Sequence, residues 1–413
     1  MTRKTVAILG TLDTKGEEFA YLRKQIESAG LRTLVIDAGI LGQPTFAPDI
    51  MRDEVARAGG QELNGLLTAN DRGKAVAAMA DGATVIIRGL FDETRIDGLI
   101  SLGGSAGTTI GTAAMRALPV GFPKVMVSTL ASGDTRPYVG TKDITMVHPV
   151  VDIAGLNVLS RRILGNAAAA IAGMVKREEA TAAASKPLLA ATMFGVTTPC
   201  VAAARRMLEE QGFEVLVFHA TGSGGLAMES LITDGLIDGV LDITTTELAD
   251  ELAGGVMSAG PHRLEAAGRK GIPQVVCPGA IDMVNFGPID SVPARYQGRL
   301  LYRHNPTVTL MRTTAEECAQ LGRMTAEKLN RAQGPATFLM PLRGVSALDV
   351  PGAAFHSPEA DRAYLEALKA HLNPRIRVLE VDANINDDAF AQQAASSLLG
   401  MMTPFKPARA DGA

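Results

Sequence analysis

The sequence predicts an α/β protein of two Rossmann-like parallel-sheet lobes that are related by internal duplication and separated by an interlobe cleft. Two observations support this fold class. Short apolar segments alternate with amphipathic segments of helical period, as in parallel sheets with helical crossovers. Four landmarks of the first half also recur in order in the second half, as expected of a duplicated unit. The matched pairs are residues 5–10 with 188–195, 30–37 with 212–219, 96–102 with 237–243, and 122–127 with 272–277.

The first lobe begins with a strand at residues 5–10, a turn at 11–14 and a helix at 15–29. Thr14 and Glu17 fit a capping box at the start of that helix. The remaining elements of the first lobe follow in order. They are a strand at 32–36, a longer insertion at 40–70, a helix at 73–80 that 84–87 extends, a strand at 96–102, a helix at 108–118, strands at 124–128 and 144–151, and a helix at 156–177.

The second lobe is expected to repeat this order with insertions in other places. Residues 178–186 are small and polar, which indicates a linker, and the lobes are accordingly placed at 1–180 and 187–405. The predicted strands of the second lobe are 188–195, 212–219, 237–243, 272–277, 337–342 and 377–381. Its predicted helices are 199–211, 248–253, 314–331, 358–371 and 388–399.

Composition excludes several classes of protein. The net charge is −4, and no Lys/Arg-rich run is present to follow a nucleic-acid backbone. Aromatic residues make up only 4%, which disfavours base-stacking surfaces. The three cysteines are far apart and form no CxxC, and no apolar stretch is long enough to span a bilayer. We therefore expect a cytoplasmic protein with neither a nucleic-acid nor a membrane partner.

The segment from Ile96 to Thr112 contains the most informative loop. It reads as a buried strand, then Gly103-Gly-Ser-Ala-Gly-Thr108, then a helix. Such a loop can direct several backbone N–H groups at one anion, since the helix dipole also favours negative charge there. The alternative is a tight turn in which glycine only avoids backbone strain. The loop matches neither the P-loop nor the dinucleotide-binding fingerprint. The candidate phosphate-binding residues are Gly103, Gly104, Ser105, Gly107 and Thr108.

Ligands of open α/β sheets bind at the carboxyl ends of the strands. This rule adds three loops of the first lobe to the candidate site. Asp37 ends the second strand, where a ribose-binding carboxylate or a simple turn residue would stand, and Asp13 either binds a nucleotide-bound Mg²⁺ or starts a helix. The further candidates in these loops are Thr11, Thr14, Ser128, Thr129, Gly133 and Asp134.

The corresponding loops of the second lobe differ in chemistry. His219 replaces Asp37, residues 220–225 form a second possible anion cradle, and Thr244-Thr-Thr-Glu247 replaces the glycine loop. Glu247, His304 and Arg343 are therefore the candidates for acid/base work and anion anchoring. Their alternatives are a helix-start residue, a loop residue and a surface ion pair. Cys277 is expected to be a buried thiol rather than a nucleophile.

Six motifs stand in order along the chain, at residues 10–17, 103–108, 128–134, 242–250, 304–306 and 341–346. Together they resemble the ATP-binding domain of the tomato mosaic virus resistance protein family, which includes stand-alone proteins of bacteria and fungi. The resemblance covers about residues 4–399. It implies two Rossmann-like subdomains, ATP binding with Mg²⁺ and dimerisation.

Three functions follow as hypotheses. The first is an ATP-dependent enzyme that holds the nucleotide in the first lobe and acts on a small acidic metabolite in the interlobe cleft. The second is a nucleotide-binding regulatory or interaction protein without turnover. The third is an ATP-independent lyase or hydrolase whose phosphorylated substrate occupies the glycine loop. ATP and Mg²⁺ are the expected cofactors, and a homodimer is the expected assembly.

Overall fold

A computed structural model describes residues 3–177 and 186–402. The chain divides into two compact units, Met1–Thr181 and Ala182–Ala413, and each is described by itself. Except for Lys186, the predicted linker lies outside the described residues.

The first unit alternates strands and helices along the chain. Its elements are β1 (Thr5–Gly10), α1 (Leu12–Ser28), β2 (Arg32–Asp37), α2 (Arg52–Ala58), α3 (Leu63–Ala69), α4 (Arg72–Asp92), β3 (Gly98–Gly103), α5 (Ser105–Arg116), β4 (Lys124–Ser128), α6 (Arg136–Val139), β5 (Thr145–Val147) and α7 (Val158–Lys176). The strands form one parallel sheet of five in the order β2-β1-β3-β4-β5.

The central strand β1 shows how this sheet is buried. Successive side chains of a strand point to opposite faces, and β1 is apolar at every position from Val6 to Leu9. Ala7 and Leu9 join a core cluster with residues of α4 and α5, whereas Val6 and Ile8 join one with α1 and α7. Helices therefore cover both faces, and the carboxyl edge of the sheet is left for loops.

Two helices of the first unit begin earlier than the sequence predicts. Helix α1 begins at Leu12, so Thr14 lies inside it and is not the N-cap of a capping box. Helix α5 begins at Ser105 instead of residue 108, because Gly104 is its extended N-cap and accepts a hydrogen bond from the Thr108 N–H at 2.8 Å. Most of the predicted glycine loop is thus the first turn of α5.

Helix α7 differs from the expectation for apolar stretches. Among the described residues, it is the one helix long and apolar enough to cross a membrane by length and composition. The most apolar run, residues 167–175, is short, but α7 extends from Val158 to Lys176 and is apolar enough over that length. Leu164, Ile171 and Val175 nevertheless pack into the core cluster that includes α1. This packing is typical of a core helix.

The second unit repeats the strand order and adds to it. Its elements are β6 (Leu188–Met193), α8 (Thr198–Glu210), β7 (Glu214–His219), α9 (Ser223–Thr233), β8 (Gly239–Thr244), α10 (Thr246–Ala253), α11 (Ala266–Lys270), β9 (Gln274–Gly279), β10 (Met283–Phe286), β11 (Leu301–Asn305), β12 (Val308–Arg312), α12 (Ala315–Asn330), β13 (Ala336–Pro341), α13 (Pro358–His371), β14 (Arg377–Val381) and α14 (Asp388–Leu399). Its parallel sheet of six has the order β7-β6-β8-β9-β13-β14.

The first four strands of each parallel sheet have the same spatial order, with the second strand outermost, then the first, third and fourth. The register also agrees, since Gly10 pairs with Asp37 in the first unit and Met193 with His219 in the second. These matches confirm the predicted fold class of two related parallel α/β units.

A second sheet in this unit was not predicted. Strands β10, β12 and β11 form an antiparallel sheet in that order. The sequence indicated a loop at His304, but the structure places this residue in β11. The error arose because β11 is a mostly exposed strand of polar residues, which shows no alternation of buried and exposed positions.

Candidate functional site

The turn from β3 into α5 is built by close backbone packing. A Cβ added at Gly103 would lie 2.9 Å from the Cα of Gly107. With a side chain at residue 103, the end of β3 and the first turn of α5 could therefore not pack this closely. Gly104 is different, because a Cβ there would meet only Thr129 Oγ1, at 3.8 Å. The turn therefore needs Gly103, while Gly104 leaves space open.

This turn forms one wall of a cavity of about 650 Å³ at the carboxyl edge of the first sheet. That volume falls within the range of small-molecule sites, about 300 to 1,000 Å³. Its lining combines polar and apolar residues. The polar lining comes from Thr11, Asp13, Thr14, Lys15, Asn70, Asp71, Arg72, Gly103, Gly104, Ser105, Gly107 and Asp152, and the apolar lining from Ala38, Ile40, Leu41, Leu66, Leu67, Ala75, Val76, Met79, Ala106 and Ile110.

The N-terminus of α5 opens on this cavity without a cap. No side chain accepts a hydrogen bond from its first turn. In the described part of the chain, the N–H groups of Ser105, Ala106 and Gly107 make no hydrogen bond to other groups. Free N–H groups at the positive end of a helix of twelve residues form an anion-binding position.

Two cations line the same cavity. Arg72 begins α4, and its side chain makes no hydrogen bond or ion pair to the other described residues. The Nζ of Lys15 donates a hydrogen bond to the carbonyl of Ile153, which is a neutral partner. Both charges are therefore available to an anion, although Asp13, Asp71 and Asp152 also face the cavity.

Asp13 has one oxygen without a partner. Its Oδ2 accepts hydrogen bonds from the N–H groups of Leu41 at 2.6 Å and Gly42 at 3.2 Å. Its Oδ1 is buried and has no hydrogen-bond partner. A buried unpaired carboxylate oxygen is costly unless a cation or donor satisfies it, so Asp13 fits a bound Mg²⁺. The described residues contain no group of three or more side chains able to hold a metal ion, so phosphate and water oxygens would have to complete its ligands.

Asp37 does not line the cavity and is 1% exposed. Its Oδ1 accepts hydrogen bonds from the N–H groups of Leu12, at 3.1 Å, and Gly39, at 2.9 Å. Burial raises the pKa of this carboxyl above its ordinary value. Asp37 therefore joins the start of α1 to the next loop and, in this structure, does not reach a ribose in the cavity.

The predicted nucleotide residues fall into two groups. Thr11, Asp13, Thr14, Gly103, Gly104, Ser105 and Gly107 line the cavity, whereas Asp37, Thr108, Ser128, Thr129, Gly133 and Asp134 do not. The hydroxyls of Thr108 and Ser128 are 2.7 Å apart and buried, and they bind each other instead of a ligand. Asp134 forms an exposed ion pair with Arg136, which lowers the pKa of Asp134 to about 2.

In the second unit, the predicted anion cradle is occupied by a side chain of the protein itself. Oε1 of Glu247 accepts hydrogen bonds from the N–H groups of Gly222, at 2.8 Å, and Gly225, at 3.0 Å. Its Oε2 lies 2.6 Å from Nε of Arg263, whose guanidinium also binds Asp242. The Glu247 carboxylate is fully buried, so its contacts are those of an internal anion and not of a group exposed to substrate.

The three predicted catalytic residues bind different partners. The guanidinium of Arg343 forms two 2.7 Å hydrogen bonds to Asp382 on an exposed surface. His304 is exposed in β11, and Glu247 belongs to the buried cluster around Arg263. No contact joins the three among the described residues, so their joint catalytic role is still a prediction. Cys277 is a buried free thiol, and burial raises its pKa well above the ordinary value.

Sequence reasoning missed several cavity residues. Lys15 was only the first residue of the helix predicted at 15–29, and Arg72 lay just before a helix that was expected to start at residue 73. The sequence did contain a signal for Arg72, because Asp71 is a favoured N-cap residue and its side chain accepts a hydrogen bond from the Lys74 N–H. Asp152 lay just beyond a strand predicted at 144–151, which ends at Val147 in the structure.

Fold and cavity together define a class: a duplicated parallel α/β protein whose first unit has an uncapped helix N-terminus facing a small-molecule-sized cavity. The chain matches the N-terminal domain of the Uncharacterised protein family (UPF0261) over residues 4–180 and its C-terminal domain over residues 186–402. It therefore belongs to this family, and the predicted relationship is confirmed.

Relatives of the chain occur in bacteria and in a plant. A UPF0261 protein of Clostridium tetani is 55% identical over 400 residues, which cover 97% of this chain and 99% of that protein. The ToMV resistance protein Tm-1(GCR237) of Solanum lycopersicum is 41% identical over 95% of this chain. The aligned region is only 55% of the tomato protein.

Solved structures show weaker similarity. A putative UDP-N-acetylglucosamine 2-epimerase from Listeria monocytogenes is 11% identical, with a TM-score of 0.24, over 67% of this chain and 79% of that one. Similarity at this level transfers neither a ligand nor an activity to the chain.

Proposed function

We propose that the first unit binds ATP together with Mg²⁺. The observation that carries this proposal is the uncapped N-terminus of α5, which faces a cavity that Lys15 and Arg72 also line. The N–H groups of Ser105, Ala106 and Gly107 would hold a phosphate group. The two cations would neutralise the rest of the polyphosphate, Arg72 by two parallel hydrogen bonds and Lys15 as a point charge.

The apolar part of the lining supports a nucleotide over a sugar phosphate. Ile40, Leu41, Leu67 and Val76 offer a surface that suits a flat aromatic base and contributes little to binding a polyhydroxylated sugar. This contrast favours the nucleotide hypotheses over the lyase or hydrolase of a phosphorylated substrate. A cytoplasmic location, where ATP is abundant, is part of the same proposal.

Mg²⁺ would serve two needs of this site. Asp13, Asp71 and Asp152 already place carboxylates around the cavity, so a polyphosphate adds negative charge to a region that has only two cations. A hard divalent cation between the phosphates and the unpartnered Oδ1 of Asp13 would relieve both this repulsion and the unsatisfied oxygen.

The proposal does not assign a reaction. Action on a small acidic metabolite and assembly into a homodimer are still predictions. The contacts of Glu247 are structural, which favours nucleotide binding without a catalytic role for that side chain.

A ligand panel followed by thermal unfolding tests the proposal. A ligand that binds only the folded state adds about 2.7 kcal/mol to stability at a hundred times its dissociation constant. Millimolar ATP with Mg²⁺ should therefore raise the melting temperature, and inorganic phosphate and sugar phosphates should raise it less. No shift with ATP, together with a shift from sugar phosphates, would overturn the proposal in favour of the lyase or hydrolase hypothesis.

A further inference from the structure

Lys15 has an unusual backbone for a helical residue. It lies within α1, yet its φ of −135° and ψ of 29° are not helical and kink the helix. The kink accompanies a side chain that lines the cavity and donates its Nζ hydrogen bond to the Ile153 carbonyl. A charged group that lines an anion-binding cavity is thus held by a neutral acceptor.

The residues around Ile153 are tied to α1 at a second point. Glu18 is 3% exposed, and its Oε1 accepts a hydrogen bond from the Gly155 N–H at 2.6 Å. Asp152, next to Ile153, lines the same cavity as Lys15. We call residues 150–157 the α7-entry segment, since they lead directly into α7. This segment touches the proposed nucleotide site through Asp152 and is held by α1 through Lys15 and Glu18.

The α7-entry segment is strained at its start. Val150 has a φ of +68°, in the left-handed region that β-branched residues rarely adopt. Its side chain is also 65% exposed, so burial of that side chain does not explain the conformation. Further along the segment, Ile153 is buried in the core, and Lys15 and Glu18 bind the backbone of Ile153 and Gly155.

We infer that nucleotide binding transfers the Lys15 ammonium from the Ile153 carbonyl to a phosphate oxygen and thereby changes the conformation of the α7-entry segment. The inference rests on the proposed function, since it needs a phosphate in the cavity. A charge-assisted hydrogen bond to an anion is about twice as strong as one between neutral groups, and a phosphate competes well with a carbonyl for the ammonium. The segment then keeps its Glu18 bond and loses the one to Lys15. Occupancy of the cavity is in this way reported at the protein surface.

A tryptophan reporter tests the inference cleanly, because the chain contains no tryptophan. Ala154 is exposed and lies between the two anchored residues, so Ala154→Trp places the reporter within the segment. Addition of Mg²⁺ and ATP should shift its emission with the same concentration dependence as the heat of binding. Val85→Trp, at a 57% exposed position of α4, is the matched control for direct quenching by the nucleotide and should not respond.

The variant Lys15→Met removes the ammonium and keeps a side chain of similar length. In the double variant with Ala154→Trp, the ligand-free emission should already resemble that of the ATP-bound single variant, and ATP should change it little. If the Ala154→Trp protein binds ATP in calorimetry without an emission change, the inference is wrong and the proposed function stands. If calorimetry detects no binding, both are wrong.

Discussion

Oε2 of Glu247 lies 2.6 Å from Nε of Arg263, and both side chains are fully buried. The other oxygen of Glu247 accepts hydrogen bonds from two N–H groups at the start of α9. The second unit thus fills a helix N-terminus with its own carboxylate, whereas the α5 N-terminus of the first unit faces a cavity and has no side-chain cap. The two helix N-termini follow different strands of their units, the third strand for α5 and the second for α9, and they differ in whether the chain supplies the anion.

The first prediction concerns this buried ion pair. Glu247→Gln should lower the free energy of unfolding by about 3 kcal/mol, because breaking one side of a buried pair leaves charge on Arg263 less compensated. ATP affinity should be unchanged. Chemical denaturation and calorimetry measure the two effects, and Glu366→Gln, at an exposed position of α13, is the control. Normal stability with weakened ATP binding would show that Glu247 serves a ligand.

The second prediction concerns Asp13. Asp13→Asn keeps an oxygen that can accept the Leu41 and Gly42 hydrogen bonds but removes the charge that favours Mg²⁺. Affinity for ATP should fall about tenfold or more in the presence of Mg²⁺, because a hard cation prefers carboxylate oxygen. Without Mg²⁺, affinity should be equal or higher, since one repulsive charge is gone. An equal loss under both conditions would contradict a role in metal binding.

The third prediction concerns Arg72. Arg72→Ala should weaken ATP binding about tenfold or more and leave stability nearly unchanged, because this side chain makes no bond to the other described residues. Arg57→Ala, at an exposed arginine of α2, is the matched control and should bind ATP as the wild type does. Titration calorimetry at two salt concentrations measures the effect. Equal affinity in the two variants would place the polyphosphate away from Arg72.

The fourth prediction concerns pH. Burial raises the pKa of Asp282 to about 7, against an opposing effect of Arg312. A carboxyl with a raised folded-state pKa holds its proton in the folded protein after the unfolded chain has lost it. Its contribution to stability is therefore fully present below about pH 4 and is lost as the pH rises through 7.

The Asp282→Asn protein has no carboxyl at this position to hold the proton. Its free energy of unfolding, relative to that of the wild type, should therefore increase by up to about 1.4 kcal/mol for each pH unit between pH 4 and 7. Unfolding at several pH values measures the difference, with Asp290→Asn at an exposed position as the control. A stability difference that does not vary with pH would show that Asp282 is already ionised in the folded protein.

The fold was predictable because its signals are local and periodic. Buried strands such as β1 and β3 are largely apolar runs, and similar runs recur in the second unit. The antiparallel sheet was missed because β11 is mostly exposed and shows no such signal, and because β10 and β12 are buried runs of only four and five residues. Helix starts were displaced by three residues at α1 and α5, since N-caps without side-chain hydrogen bonds, such as Gly104, leave no clear signal.

The candidate site was only partly predictable. Glycines, hydroxyls and carboxylates at strand ends could be collected by a general rule, and seven of these residues line the cavity. Whether a carboxylate faces the cavity or binds backbone N–H groups depends on tertiary contacts. The sequence therefore left Asp37 and Glu247 as either ligand-binding or structural residues. Arg72 begins a helix that was predicted to start one residue later, and Asp152 follows a strand that was predicted to be longer.

The most direct test of the proposal that the α5 N-terminus binds the polyphosphate is a calorimetric titration of Gly104→Asp with ATP and Mg²⁺. Aspartate is a favoured N-cap residue, and a Cβ fits at this position, so the fold should persist. Its carboxylate would occupy the N–H groups proposed for phosphate, and affinity should fall at least about a hundredfold. Gly104→Ala adds the Cβ alone and should retain most of the affinity. Unchanged affinity in Gly104→Asp would contradict the proposed site.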